Sequence, residues 1–345
     1  MKTIITADVS QVTPRHRMVT MQNFLAIDAG GTSTRAVFLD ASGQCLGYGT
    51  AGGGNPVSRG FEPALDALVG ASKKALGGGV QLLAGTLVAM AGASLELPTH
   101  LFRERFITLG LTGNVVIESD LLAAFYSGSY QDNGSALIAG TGAVGARISA
   151  SRLAAVADGT GWLLGDEGSG FWLGRQVARA VAAALDGRGA PTALTELVLA
   201  DLGITLDPSQ RTQGRLRAQQ QLIRKVYESS AIELSRFAPL VFAVAQDPVA
   251  TDIIERAADA LARTLLAVAP GAGEPLVFGG SVLTKGGTVA AAVAARLLES
   301  TPPILVHDGV AGAAVLVLKR HGVVVDAAVF ARIQESLAAL RDERI

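Results

Sequence analysis

Cysteine is almost absent from this chain. Of its 345 residues only one, Cys45, is a cysteine. A single thiol excludes a disulfide framework within the chain, and it excludes a cysteine-rich zinc site or an iron–sulfur cluster built from this chain alone. We therefore expect Cys45 to be a buried or idle thiol.

Charge is scarce and balanced. Charged residues make up 17% of the chain against 49% hydrophobic residues, and 29 lysines and arginines stand against 30 aspartates and glutamates. The high apolar content predicts a packed globular protein rather than a disordered one. Because there is no basic excess or cluster, we expect no nucleic-acid partner.

Long apolar runs are also missing. No segment is long enough to span a bilayer, and residues 1–20 carry charged and polar side chains where a signal peptide needs an apolar region. We therefore expect a cytoplasmic protein without a membrane partner, in which residues 1–20 are a loose extension. The remaining length is enough for two domains.

The segment 24–35 is the most informative part of the sequence. Four apolar residues lead to Asp28, and a turn rich in glycine and threonine precedes a second apolar run at 36–39. This pattern predicts a β-hairpin with a carboxylate at its mouth. Glycines let backbone N–H groups approach a phosphate closely, and an aspartate can hold Mg²⁺ directly or through water. A glycine-rich hairpin without a ligand is the alternative, and no Walker sequence follows.

The predicted elements repeat along the chain. Up to residue 126 they follow the order βββαβαβα, and from residue 135 a strand, a glycine turn and a strand begin the pattern again. Residues 115–120 and 303–308 each end an apolar strand in an aspartate before an alanine-rich helix. We infer an internal duplication of one α/β unit, which predicts two similar domains facing a cleft.

The duplication predicts domain boundaries. A small domain is expected at 21–133 together with 328–345, and a large domain is expected at 134–327. Within the large domain, the sequence predicts helical segments near 170–186, 214–238 and 248–268.

Four elements of the sequence resemble a known family. Glycine turns at 28–34, 140–142 and 279–281 resemble, in order and spacing, those of the actin-like ATPase superfamily that includes hexokinase. The stretch GWLLGDEGSG at 161–170 is similar to the G-x-x-x-G-D-E-G-S signature of the BadF/BadG/BcrA/BcrD ATPase family, in its N-acetylglucosamine kinase-like branch. The resemblance covers about residues 24–330. It implies an α/β fold of two actin-like (ribonuclease H-like) domains with an interdomain cleft.

The resemblance also implies ATP and Mg²⁺ as cofactors. The first two turns would bind the β- and γ-phosphates, the third would lie beside the adenosine, and Asp28 would hold Mg²⁺. The residues assigned to the phosphates are Gly30, Gly31, Thr32, Ser33, Thr141 and Gly142. The residues assigned to the adenosine are Gly279, Gly280 and Ser281.

Asp120 is the predicted catalytic residue. By resemblance it accepts the proton of the attacking sugar hydroxyl, and it stands where a predicted strand ends and a helix begins, facing the crevice of a doubly wound sheet. The alternative is that Asp120 only caps the helix starting at Leu121. We expect Asp308, its counterpart in the repeat, to serve in capping or packing.

A group of loop residues is predicted to bind the sugar. Asp166 and Glu167 can accept pairs of vicinal hydroxyl groups, although their charges could instead favour a helix N-terminus. Asn55 is assigned by resemblance. A carboxylate at Asp158 would favour an ammonium over an acetamide, unless it is only a solvated loop residue. The full predicted set is Asn55, Asp120, Thr141, Asp158, Gly159, Asp166 and Glu167.

Departures from the family pattern narrow the predicted activity. The chain lacks the cysteines of the dehydratase-activating relatives, and residues 158–160 replace a tryptophan of mammalian N-acetylglucosamine kinase. We therefore predict ATP-dependent phosphorylation of an amino sugar at the 6-hydroxyl, with D-glucosamine giving glucosamine 6-phosphate. N-acetylglucosamine, an anhydro-muramyl sugar and a non-catalytic nucleotide- and sugar-binding sensor are the alternatives. A homodimer is an expectation by analogy, because relatives often pair.

Overall fold

The computed structural model describes residues 22–91, 98–297 and 302–343. The predicted N-terminal extension, residues 1–20, lies outside these ranges. The described chain forms two five-stranded sheets with helices on their faces, together with one short hairpin. The α/β fold class expected from the sequence is therefore confirmed.

The first sheet has the strand order β3-β2-β1-β4-β5. Its strands are β1 (Asn23–Ala29), β2 (Ser33–Asp40), β3 (Cys45–Gly52), β4 (Leu83–Met90) and β5 (Leu111–Ser119). Its helices are α1 (Pro56–Arg59), α2 (Phe61–Ala75), α3 (Thr99–Ile107) and α4 (Asp120–Gly128). Strand β1 pairs antiparallel with β2 and parallel with β4. Because both of its faces are covered, β1 reads as a continuous apolar run up to Asp28.

The second sheet has the strand order β12-β11-β6-β7-β8. Its strands are β6 (Gly134–Ala139), β7 (Ala143–Ser149), β8 (Arg152–Asp158), β11 (Leu276–Gly279) and β12 (Ile304–Val306), while β9 (Arg211–Thr212) and β10 (Arg215–Leu216) form the separate hairpin. The helices that follow β8 in the chain begin with α5 (Gly170–Leu185), α6 (Leu194–Asp201), α7 (Arg217–Glu228), a 3₁₀ helix (Ala231–Phe237) and α8 (Ala238–Ala243). They continue with α9 (Pro248–Ala267), α10 (Ser281–Thr284), α11 (Thr288–Ala294), α12 (Val310–Arg320) and α13 (Ala327–Asp342).

The two sheets share one topology. In each, three consecutive strands form an antiparallel meander, and the first of them also pairs in parallel with the next strand of the same sheet. Strand β6 therefore corresponds to β1, and β11 corresponds to β4. This correspondence is what the internal duplication predicts. The domain boundaries themselves stay a prediction.

Two helices fill the layer between the sheets. Helix α4 packs against β6, β11 and β12 of the second sheet, and α12 packs against β1, β2 and β4 of the first. The two helices also meet each other at Gly312, whose N–H donates to Ser127 Oγ at 2.9 Å. A Cβ at Gly312 would overlap the backbone carbonyl of Ala123. The helices therefore touch backbone to backbone at this position.

We expect the substitution Gly312→Ala to lower the free energy of unfolding by about 1–3 kcal/mol, because overpacking a buried contact forces neighbouring backbone apart. Chemical denaturation measures the change. The matched control is Gly52→Ala, because a Cβ at Gly52 has no neighbour within 4 Å and should change stability by no more than about 0.5 kcal/mol. Equal effects of the two substitutions would contradict the close helix contact.

Some local expectations were wrong. The helix predicted near 214–238 is divided into β10, α7 and the 3₁₀ helix, because Ser229 and Ser230 are extended and end α7. Cys45 is buried as expected, and burial raises the pKa of its thiol to about 11. Within the described ranges no single helix is long and apolar enough to cross a membrane. The bent pair Ala231–Ala243 and Pro248–Ala267, at 117°, passes that test only by length and composition.

Candidate active site

The first glycine turn joins β1 to β2 and is fastened to a neighbouring loop. The carbonyl of Gly30 accepts a hydrogen bond from the N–H of Gly54 at 3.0 Å, and the carbonyl of Gly31 accepts one from Arg59 Nε at 2.9 Å. A Cβ at Gly53 would overlap the Gly31 carbonyl oxygen, so the two loops approach more closely than other residues allow. Hydrogen bonds that its backbone carbonyls accept from the neighbouring loop therefore hold the turn in place.

The hydroxyl groups of this turn differ in their surroundings. Thr34 is buried, and its Oγ1 donates to the carbonyl of Gly52 at 2.7 Å. Thr32 is exposed and Ser33 is half-buried. Of the three, Thr32 and Ser33 are therefore the residues whose hydroxyls can reach a ligand. Asn55 follows the neighbouring loop, is buried, and donates from Nδ2 to the carbonyl of Ala91 at 3.4 Å.

The second glycine turn, Gly140 to Gly142, joins β6 to β7 and is fastened by the acidic loop at 165–168. Asp166 Oδ1 accepts a hydrogen bond from the N–H of Ala143 at 3.0 Å. A Cβ at Gly142 would lie 2.8 Å from the same carboxylate oxygen. Thr141, at the tip, remains exposed. The structure therefore places Asp166 directly behind the turn predicted to bind phosphate.

The third glycine turn packs against the second. Gly280 has a φ of 85°, which only glycine adopts readily, and a Cβ there would overlap the carbonyl of Ala139 at the end of β6. Gly279 ends β11 and is buried, while Ser281 begins α10 and is exposed. The predicted phosphate turn and the predicted adenosine turn thus lie side by side on the second sheet.

Asp28 lies at the end of β1, and α12 begins beside it. Its Oδ2 accepts a hydrogen bond from the N–H of Gly309 at 3.0 Å, and Arg35 Nη1 lies 3.9 Å away. Burial raises the pKa of Asp28 to about 6, and the negative charges of Asp308 and Asp120 raise it as well. The Gly309 N–H and the Arg35 charge act in the opposite direction.

The surroundings of Asp28 fit a magnesium ligand. Its Oδ1 accepts no hydrogen bond within the described part of the chain, and its side chain is 14% exposed. Mg²⁺ takes one or two carboxylates and keeps several waters. An aspartate with one oxygen anchored and the other available matches that requirement, directly or through water.

Asp120 is the first residue of α4, and it is not the cap of that helix. The N-cap is Ser119, whose Oγ accepts the N–H of Leu121 at 3.2 Å. Burial raises the pKa of Asp120, although hydrogen bonds from Leu121 and Ser119 act against the shift. A carboxylate with a raised pKa is a stronger base than a solvated one. Strands β1 and β5 both pair in parallel with β4, so Asp28 and Asp120 lie at the same edge of the first sheet, and the charge of Asp120 raises the pKa of Asp28.

Asp158 holds the acidic loop from its other side. Its Oδ1 accepts the N–H of Asp166 at 2.7 Å, and its Oδ2 accepts the N–H of Glu167 at 3.0 Å. The side chain of Glu167 is exposed, and Gly159 is exposed with a φ of 68°. Burial raises the pKa of Asp166, and the charge of Asp158 raises it further against the Ala143 N–H. Asp158 is therefore bound to the loop backbone and is not a freely solvated residue. The assignment of these residues to a sugar stays a prediction.

Sequence reasoning missed several contacts among the residues around Asp28. Asp308 accepts the N–H of Val310 at 3.2 Å, as expected of a capping residue, but it also accepts two hydrogen bonds from Arg341. Arg35 Nε lies 3.4 Å from Asp308 Oδ2. No signal in the sequence connects these positions, because Arg341 stands in the last described helix, far from the glycine turns.

Known proteins are similar to this chain over most of its length. Residues 25–317 match the model of the BadF/BadG/BcrA/BcrD ATPase family. An N-acetyl-D-glucosamine kinase of Dictyostelium discoideum is 28% identical over 303 residues, which are 81% of this chain and 91% of the relative. Glucosamine kinase GspK of Vibrio cholerae is 24% identical over 274 residues, which are 77% of this chain and 86% of the relative.

Solved structures show the same fold. A candidate N-acetylglucosamine kinase of Porphyromonas gingivalis has a TM-score of 0.67 at 22% identity, over 87% of this chain and 100% of that one. A ROK family glucokinase of Streptomyces griseus, in complex with glucose and AMPPNP, has a TM-score of 0.51 at 20% identity, over 85% and 98%. The two sheets thus have the fold of these solved structures. Since the family model matches most of its length, the chain belongs to the BadF/BadG/BcrA/BcrD ATPase family.

Proposed function

We propose that this protein transfers the γ-phosphate of ATP to the 6-hydroxyl of an amino sugar, converting D-glucosamine to glucosamine 6-phosphate. The observation that carries the proposal is the placement of Asp120. It is a carboxylate with a raised pKa at the start of α4, at the same edge of the first sheet as Asp28, the carboxylate best suited to Mg²⁺. The names of the two relatives above, both hexosamine kinases, support the same class of reaction.

In the proposed reaction the sugar O6 forms a bond to the γ-phosphorus as the bond from that phosphorus to the β–γ bridging oxygen breaks. The transition state is loose, so Asp120 mainly orients the hydroxyl and takes its proton late. Backbone N–H groups and hydroxyls of the first two turns would bind the phosphate oxygens. Mg²⁺, held by Asp28 when bound, supplies positive charge against the phosphates. Closure of the cleft would exclude water and prevent ATP hydrolysis without sugar.

The choice of glucosamine over N-acetylglucosamine follows from the carboxylates near the acidic loop. Asp158 and Asp166 bring negative charge close together, and such charge favours an ammonium over a neutral acetamide. N-acetylglucosamine remains the second candidate, because one relative carries that name. An ADP-release assay over a panel of sugars tests the proposal. Turnover with glucose and with neither hexosamine would refute it.

The substitution Asp158→Asn tests the charge argument. We expect it to lower kcat/KM for glucosamine about tenfold more than kcat/KM for N-acetylglucosamine, since a charge-assisted contact contributes about 1.5–3 kcal/mol. Asp158 also binds the loop backbone, so both substrates should lose some activity. The ratio of the two specificity constants separates the roles. If the ratio equals that of the unsubstituted protein, the charge of Asp158 does not select the substrate and the residue only holds the loop.

A non-catalytic sensor on the same fold is the alternative of another class. A protein that only binds sugar and nucleotide needs no buried base beside its phosphate site, so the raised pKa of Asp120 favours an enzyme. Mass spectrometry of the sugar after incubation with ATP separates the two. A sugar of unchanged mass, with both ligands bound, would establish the sensor.

We also propose that the protein acts as a homodimer in the cytoplasm, where ATP is available. Strand β8 lies at an edge of the second sheet, and its central residues, Ala154, Ala155 and Val156, are exposed and uncharged. An open apolar edge invites pairing with another strand. Antiparallel pairing about a two-fold axis at Ala155 would place Arg152 of one copy opposite Asp158 of the other. Light scattering tests this, and Val156→Lys should give a monomer if the pairing is correct.

A further inference from the structure

A chain of polar contacts leads from the C-terminal helix to Asp28. Arg341, near the end of α13, donates from Nη2 to both carboxylate oxygens of Asp308 at 2.8 Å. The next residue is Gly309, whose N–H donates to Asp28 Oδ2 at 3.0 Å. Arg35 stands between the two aspartates, 3.4 Å from Asp308 and 3.9 Å from Asp28.

These contacts are not those of a solvated surface pair. The Asp308 side chain is 11% exposed, and the Arg341 guanidinium lies over the ring of Tyr48 at 5.5 Å from its centroid. Exposed ion pairs contribute little, because water and side-chain entropy compete with them. A carboxylate held by two charged hydrogen bonds and shielded from water keeps a defined position. Asp308 is therefore fixed by a residue that comes from another part of the chain.

The position of Asp308 affects Asp28 because the next residue, Gly309, packs closely against the Asp28 carboxylate. A Cβ at Gly309 would lie 3.1 Å from Asp28 Oδ1 and 3.3 Å from the Cβ of Ala123. A small displacement of residues 308 and 309 would thus move the N–H that anchors Asp28 Oδ2, or press on Oδ1. Oδ1 is the oxygen available for Mg²⁺.

We propose that Asp308 and Arg341 are positioning residues for Asp28. Arg341 holds Asp308, Asp308 fixes the Gly309 N–H, and that N–H orients the Asp28 carboxylate toward the metal of the Mg–nucleotide complex. The inference rests on the proposed function only in taking Asp28 as the carboxylate that serves Mg²⁺. In this arrangement the C-terminal helix sets the affinity of the site for metal without touching any substrate.

The test measures Mg²⁺ binding rather than turnover. Calorimetric titration of ADP at increasing Mg²⁺ concentration gives the apparent Mg²⁺ affinity of the nucleotide complex. We expect Arg341→Gln and Asp308→Asn each to weaken it about tenfold, the usual lower range for a residue that orients a metal ligand. Binding of ADP without Mg²⁺ and binding of the sugar should not change. An unchanged Mg²⁺ affinity in both variants would overturn the proposal.

Arg147→Gln is the matched control. Arg147 makes a partly buried pair with Glu274 through Nη1 and Nη2, but it lies near the end of β7, at the end of the second sheet opposite to the turn at Gly140. Its loss should lower stability and leave the Mg²⁺ affinity unchanged. If Arg147→Gln weakens Mg²⁺ binding as much as Arg341→Gln does, the effect is a general loss of structure and the proposal fails. Should Arg341→Gln not fold, Arg341→Lys keeps the charge but lacks the guanidinium that lies over Tyr48 and donates to Asp308, and its Mg²⁺ affinity should still fall measurably.

A double substitution tests whether Arg341 acts through Asp28. In the Asp28→Asn background, Arg341→Gln should cause no further loss of Mg²⁺ affinity, because the residue acts through Asp28. A further loss of about tenfold would show that Arg341 acts elsewhere. If Asp28→Asn alone leaves the Mg²⁺ affinity intact, the inference also fails. If the Mg²⁺ results are as expected and no hexosamine is phosphorylated, the proposed function falls and this inference stands.

Discussion

Asparagine in place of Asp120 should lower turnover at least about 10²-fold, the usual contribution of a positioned proton acceptor. The amide has nearly the shape of the carboxylate, so binding of ATP and of the sugar should change much less than kcat. The fold should also persist, because the substitution removes a buried charge whose pKa burial has already raised. Steady-state kinetics and denaturation of the same preparation measure both effects. Near-normal turnover would remove Asp120 from the mechanism.

Ser119→Ala separates the cap of α4 from the chemistry at its first residue. Ser119 accepts the Leu121 N–H and caps the helix, and its Oγ makes only a long contact of 3.5 Å with Asp120 Oδ1. Its loss should lower the free energy of unfolding by about 1 kcal/mol and affect turnover far less than Asp120→Asn does. If the two substitutions lower turnover equally, the effect of Asp120→Asn comes from the helix end and not from a lost base.

The second large effect is expected at Asp28, where stability and activity should change in opposite directions. Asp28→Asn should lower Mg²⁺-dependent turnover about 10²-fold or more, since it removes the carboxylate proposed for the metal. The same substitution should stabilise the nucleotide-free protein at pH 7, by about 3 kcal/mol at most. The asparagine carbonyl can still accept the Gly309 N–H, so the local hydrogen bond is retained.

The stability difference should depend on pH, with its sign set by the raised pKa. Asp28 has a pKa of about 6 in the folded protein against a reference value of 3.8. Below about pH 4 the Asp28 carboxyl is mostly protonated in both the folded and the unfolded chain, so its burial does not lower stability. Between about pH 4 and 6 the unfolded chain loses this proton more readily than the folded one, so stability falls as pH rises. The asparagine variant lacks this cost, and its advantage should grow through that window and level off above it. An advantage that is already complete at pH 4 would contradict the shifted pKa.

The sequence predicted those parts of the fold whose signal is local. Strand β1 and its turn were predictable because an apolar run must stop where Asp28 and the glycines begin. The duplication was visible because two strands end in an aspartate before an alanine-rich helix. Strand β8 was not predicted, since three of its seven residues are alanine and alanine has a low preference for strands. The break after α7 was missed because two serines give only a weak signal for a helix end.

The candidate site was predicted in the same uneven way. The glycine turns and the acidic loop could be assigned because residue type and spacing carry their chemistry. The contacts that fasten them could not, because they join distant parts of the chain. Nothing in the sequence indicates that Asp166 accepts the Ala143 N–H, or that Arg341 reaches Asp308. The sequence therefore predicted the residues with chemical roles. The residues that hold them in place were visible only in the structure.

The packing of α4 and α12 between the two sheets affects whether each half of the molecule can fold alone and how the halves can move. Helix α12 packs on the first sheet, and α4 contacts β6, β11 and β12 of the second sheet as well as β1, β4 and β5 of the first. Each sheet would lose a helix that packs on it if the other half were absent, so we expect the two halves to depend on each other for folding. We therefore expect any relative movement of the two sheets to slide one helix along the other at Gly312, rather than to swing about a flexible connection.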